Sequence, residues 1–166
     1  MIRVELPTPD DTRAWGRALA GVLRPGDLVV LTGELGAGKT TLVQGLASAL
    51  GVAGRVASPT FIMARQHRPL GQGPWLIHAD AYRLASIAEL DTLDLDASLD
   101  QAITVVEWGQ GVVEDLTPDR LEVHLHRERG TSDGLSSGLG DAEPRTAQAR
   151  GVGERWAGIV LPDLSR

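Results

Sequence analysis

The residues best suited to chemistry are Gly33-Glu34-Leu35-Gly36-Ala37-Gly38-Lys39-Thr40-Thr41. From Gly33 to Thr40 they match G-x-x-x-x-G-K-[ST], a spacing with a mechanical reason at each position. Glycines let the backbone curl until successive N–H groups point inward at phosphate oxygens. A helix opening after the loop aims its positive end at the same anion. Lys39 supplies a compact point charge for the β- and γ-phosphates, and the Thr40 hydroxyl is a hard oxygen ligand of the kind Mg²⁺ takes. Lys39 is also the only lysine in the chain, among 16 basic residues. Arginine, a wide planar fork, does not fit a loop closed around an ammonium.

A phosphate loop needs an acid on the metal side, at the end of a neighbouring strand. Two carboxylates qualify: Asp80, ending "WLIHAD", and Glu107, ending "AITVVE". Both fall where strands of an open α/β sheet deliver ligand-binding residues, at the carboxyl edge. Glu107 follows the more uniformly apolar run and is preferred for the metal. Asp80 would orient water or bind metal through water. "SPTF", Ser58 to Phe61, offers a hydroxyl residue where switch segments sense a γ-phosphate, although on these residues alone a simple Ser-Pro turn is the favoured reading. Trp108 packs either near the nucleotide or over a helix. His78, His124 and His126 are too scattered for a metal cluster. No arginine finger stands out. Arg83 is the best positional guess, with Arg65 and Arg68 behind it.

The elements that must position these residues are legible in outline. "IRVEL" alternates like a short strand. Thr8-Pro9-Asp10-Asp11 reads as a capped helix start, and Trp15, Ala18, Leu19, Val22 and Leu23 follow on one face. "LVVL" is a buried strand leading into the loop. Leu42, Val43, Leu46, Ala47 and Leu50 line a second helix, which Gly51 ends. Strands are expected around "VASPTFIMARQ", in "WLIHAD" and in "AITVVEWG", and a helix from the Ser86–Glu89 capping box. "DRLEVHLHRE" alternates, so it is expected as a half-exposed antiparallel strand. The Gly-, Ser- and Ala-rich stretch from Gly130 to Gly153 reads as a loop, flexible over 130–149, and "RWAGIVL" as a closing strand. The sum is a single α/β domain over 1–166: a P-loop NTPase-like three-layer fold with a mixed, mainly parallel central sheet.

Composition narrows the function classes. A net charge of −6 argues against a broad basic surface for naked nucleic acid, so any RNA would be held by a partner. The absence of cysteine removes disulfides, thiolate metal sites and a cysteine nucleophile. The opening "MIRVELPTPDD" lacks the features of a signal peptide and no run is long enough to span a bilayer, so a soluble, cytoplasmic protein is expected. Asparagine is absent and the lysine is already used, so the guanine-reading Asn-Lys-x-Asp element cannot exist. A small-molecule kinase is the alternative enzyme, but its arginine-bearing lid is poorly matched by 130–149, where Arg145 is the only arginine.

With "GELGAGKTTL", "SPTF", "HADAYRL" and "VEWG" in this order over roughly residues 5 to 127, the chain resembles the TsaE (YjeE) family. The resemblance implies a small ATPase serving threonylcarbamoyl-adenosine modification of tRNA. Glu34, Leu35, Gly36, Ala37, Gly38, Lys39, Thr40 and Thr41 would bind the phosphates of ATP. Thr40 and Glu107 would hold Mg²⁺, Thr60 would sit on the switch segment, Asp80 would support hydrolysis, and Trp108 would lie close to the nucleotide. The implied partners are the TsaD and TsaB proteins, which carry the transfer to adenosine 37 of tRNA. The chain departs from the family at Gly109, where proline is usual, and in the length of the 130–149 stretch.

Overall fold

The computed structural model describes residues 1–59, 64–81, 99–109, 118–127 and 144–164. Its elements run β1 (Ile2–Leu6), α1 (Pro9–Ala20), β2 (Leu28–Thr32), α2 (Lys39–Leu50), β3 (Ala64–His67), β4 (Trp75–Asp80), β5 (Ala102–Glu107), β6 (Arg120–Arg127) and β7 (Arg145–Val152). Short 3-10 turns occupy Leu99–Gln101 and Glu154–Trp156. The seven strands form one sheet in the order β1-β7-β6-β2-β5-β4-β3. The middle, β6-β2-β5-β4, is parallel, and antiparallel pairs close it on both sides. This is the α/β, P-loop NTPase-like architecture that the strand–loop–helix unit implies.

Three of the central strands, β2, β4 and β5, are mostly apolar. β2, β4 and β5 are buried almost without a break, as parallel strands inside a layered fold must be. One face carries the main core. Val29 and Leu31, Ile103 and Val105, Leu76, and Leu121, Val123 and Leu125 pack against Trp15 and Leu19 of α1 and Leu42, Val43 and Leu46 of α2. The two helices touch backbone to backbone. A β-carbon on Gly45 would lie 2.2 Å from the Arg13 carbonyl oxygen, so a side chain there would force the helices apart. α1 begins as its sequence dictates: Thr8 and Asp11 form a reciprocal capping box, with proline in the first turn. Trp15 is fully buried and its indole N–H donates to the Pro162 carbonyl, tying the C-terminal segment over α1.

Three expectations change. β6 alternates as anticipated, but it runs parallel to β2 and antiparallel to β7. Alternation reports one covered face, not strand direction. Residues 145–152, inside the stretch read as a loop, form β7, clamped between β1 and β6. Its buried residues include Ala147 and Ala149, a type depleted in strands; pairing on both edges overrides that propensity. "RWAGIVL" is not a strand. It opens as a 3-10 turn whose Trp156 lies against Gly151, while Arg155 is drawn inward to Asp27. The helix anticipated from Ser86 and the tip of the 130–149 stretch lie outside the described residues. Of the strand expected around "VASPTFIMARQ", residues 56–59 are not strand, 60–63 lie outside the described residues, and the strand runs Ala64–His67.

Candidate nucleotide site

The loop leaves the end of β2 at its tightest point. A β-carbon on Gly33 would lie 2.2 Å from the Leu125 carbonyl oxygen of β6, so only glycine lets the chain turn there. Glu34, Leu35 and Gly36 form the exposed tip, with Leu35 92% exposed. Ala37 is buried and its N–H closes a turn onto the Glu34 carbonyl. α2 then starts with Gly38 at its cap position, no side-chain capping bond and no acid in the first turn. α1, in the same molecule, satisfies its own first-turn amides; α2 leaves that task to something else. Residues Lys39, Thr40 and Thr41 lie in this open first turn, where an anion would meet both N–H groups and the helix dipole.

Lys39 is buried. Its ammonium donates to the carbonyls of Gly33 (2.8 Å) and Glu34 (3.1 Å) and lies 4.2 Å from the centre of the Trp108 ring. Burial pushes its pKa down, and the nearby carboxylates of Glu107 and Asp80 oppose that shift. The ammonium is thus short of solvent and held against the loop carbonyls. Trp108 is held over it by its backbone. Its N–H donates to the Leu31 carbonyl, and with φ at 60° it is the one non-glycine residue with positive φ among the described residues. Such a conformation costs on the order of 1–3 kcal/mol, and it turns the chain sharply at the end of β5.

The acids arrive from the strands beside β2. Asp80 and Glu107 are partners on the β4–β5 ladder, both buried. Glu107 reaches the loop: the Thr40 hydroxyl donates to its Oε1 at 3.3 Å. The same oxygen lies 2.8 Å from Nε2 of the fully buried His78, whose ring therefore carries its proton on Nε2 and donates to the carboxylate. Two residues expected to share a metal thus meet, each with a hard oxygen. Among the described residues no three His, Cys, Asp or Glu side chains are placed to hold an ion by themselves.

Thr60 and Arg83 lie outside the described residues. His78 was not foreseen as part of the site. The available signal was its position two residues before Asp80, hence on the same strand face. Also unforeseen were Arg127 and Arg145, which flank the loop from β6 and β7. His124 and His126 are exposed on the other face of β6, as anticipated, and His124 Nδ1 meets the Thr32 hydroxyl at 2.9 Å. Near that pair lies a cavity of about 360 Å³, lined by Val30, Glu122, Gln148 and Arg150 and set on the sheet face away from α2.

Comparison with known proteins places the chain. A family model, "Threonylcarbamoyl adenosine biosynthesis protein TsaE", matches residues 6–133. The Streptomyces coelicolor protein named tRNA threonylcarbamoyladenosine biosynthesis protein TsaE is 54% identical over 147 residues, covering 87% of this chain and 93% of its own length. The Bacillus subtilis protein of the same name is 38% identical over 159 residues, covering 95% and 90%. The crystal structure of Bacillus subtilis YdiB superposes with a TM-score of 0.67 at 28% identity, over 94% of this chain and 88% of that one. A match over this much of the chain means that the protein belongs to the TsaE family.

Proposed function

We propose that this protein binds ATP with Mg²⁺ on the Gly33–Thr41 loop and hydrolyses it. Through that cycle it supports a TsaB–TsaD complex in the threonylcarbamoylation of adenosine 37 of tRNA. The role in threonylcarbamoyladenosine biosynthesis follows from the names its relatives carry. The observation that carries the ATP reading is the uncapped start of α2, with a buried Lys39 ammonium beside it and Thr40 joined to Glu107.

In this reading the loop amides and Lys39 bind the β- and γ-phosphates and stabilise charge that develops there as water attacks the γ-phosphorus in line. Thr40 and Glu107 hold the magnesium ion, whose contribution when bound is to neutralise phosphate charge. His78 keeps the Glu107 carboxylate turned toward Thr40. Asp80, one rung away, orients water. Trp108 covers Lys39 and borders the nucleotide, and Thr60 belongs to the switch segment. An arginine finger at the transferred phosphate is worth a factor of ~10³–10⁵, and its supply or placement by a partner would leave turnover by the isolated protein slow. Calorimetric titration with ATP and a phosphate-release assay, each with and without TsaB–TsaD, test the proposal. Phosphate release without any acceptor, faster with partners, is the expected result and separates it from a small-molecule kinase. Absence of ATP binding, or equal rates with and without the partners, would contradict it.

A further inference from the structure

The loop is flanked asymmetrically. On the β5 side stand Glu107 and Asp80, at the ends of their strands. On the other side, β6 runs parallel to β2 and continues past it: Thr32 pairs with His124, so Arg127 lies three residues further on, alongside the loop. Arg127 shares its strand face with Val123 and Leu125, which point into the core beneath α1 and α2. It therefore emerges on the face that carries α2. Its Nη1 is 3.3 Å from where a β-carbon on Gly36 would stand, in contact with the loop tip. Arg145, its partner on the β6–β7 ladder, lays its stem behind the loop. The Arg145 Cδ and Nε each lie 3.3 Å from the position of a β-carbon on Gly38. A chain of net charge −6 thus sets two guanidinium groups against its phosphate loop, on the side away from its buried acids.

We infer that Arg127 grips the phosphate chain of the bound nucleotide from the β6 side, opposite the metal, while Arg145 backs the loop. This deepens the ATP reading above and rests on it. Magnesium held by Thr40 and Glu107 would neutralise charge on their side of the loop. Oxygens turned toward β6 need a separate cation, and a planar fork at the loop tip meets two of them at once. No other described residue at the tip carries positive charge: Glu34, Leu35 and Gly36 supply only backbone groups and one carboxylate.

The test is nucleotide affinity by calorimetry for the wild-type chain, Arg127→Gln and Arg127→Lys, in magnesium and in EDTA, with melting temperatures as the control for folding. Arg127→Gln should weaken ATP and ADP by about tenfold or more under both conditions, since the contact is made on the metal-free side. Arg127→Lys, which keeps the charge without the fork, should fall between. Unchanged affinity in Arg127→Gln, or a loss seen only with magnesium present, would overturn the inference while leaving the ATP reading intact. If the wild-type chain itself failed to bind, the ATP reading would fall instead.

Discussion

Lys39 shows how one side chain can be costly to the fold and necessary to the ligand. Its ammonium is withdrawn from water and held by two carbonyls and an aromatic face, and burial lowers its pKa against the pull of Glu107 and Asp80. Lys39→Ala is expected to weaken ATP binding by ~1.5–3 kcal/mol, the usual worth of a hydrogen bond to a charged group, read by calorimetry. The same variant should melt near the wild-type temperature, because truncation also removes a desolvated charge. His78 acts one step further from the ligand, through Glu107. His78→Leu should raise the magnesium concentration for half-maximal nucleotide binding by about tenfold or more, as loss of a ligand's hydrogen-bonded support generally does. His78→Gln, which can still present a donor near Nε2, should recover much of that loss; equal behaviour of the two variants would assign His78 to packing alone.

Among the elements, α1 and α2 differ in the one feature that decides their use. α1 carries its own cap and serves as a wall; α2 lacks one and opens onto the site. Their contact depends on Gly45, where an added methyl would meet the Arg13 backbone. Gly45→Ala should cost about 1–3 kcal/mol by overpacking, despite the better helix propensity of alanine, and should appear as a lower midpoint in urea unfolding. Both helices and β1, β2, β4 and β5 were legible locally, since each has a cap, a periodic apolar face or a continuous apolar run. β7 was not: Ala147 and Ala149 carry no strand signal, and the segment is a strand because β1 and β6 offer hydrogen bonds on either side.

Across the whole molecule, the C-terminal turn is pinned to the start of the central sheet. Arg155 makes paired contacts to Asp27 (Nε 3.0 Å, Nη2 2.9 Å) and donates to the Val22 carbonyl, and both ionic partners are nearly buried. Arg155→Ala leaves Asp27 buried without that partner and is expected to cost about 3–5 kcal/mol in denaturant unfolding. Stability should also fall in mild acid. Burial holds the pKa of His67 below its ordinary 6.5, helped by repulsion from His78 and Arg65 and opposed by its bond to the Ala53 carbonyl. Below pH 6.5 the unfolded chain therefore takes up a proton more readily than the folded one, so stability present above that pH is lost as pH falls toward the folded value. His67→Asn should flatten this limb of a melting-temperature profile between pH 7 and about 5.

The loop, its lysine and hydroxyl, the open helix that follows and the two strand-end acids were all readable from residue order, because each is a local arrangement of neighbouring side chains and backbone. What required the folded chain was which distant groups meet there. Glu107 lies 67 positions from Thr40, yet their side chains touch. His78 joins them from β4, the strand beyond β5, and Arg127 lies against the loop from β6, because β5 and β6 are the two strands that flank β2. Adjacency of parallel strands is set by long crossovers and shared packing against the helices. No periodicity within a single strand encodes which neighbour it will have.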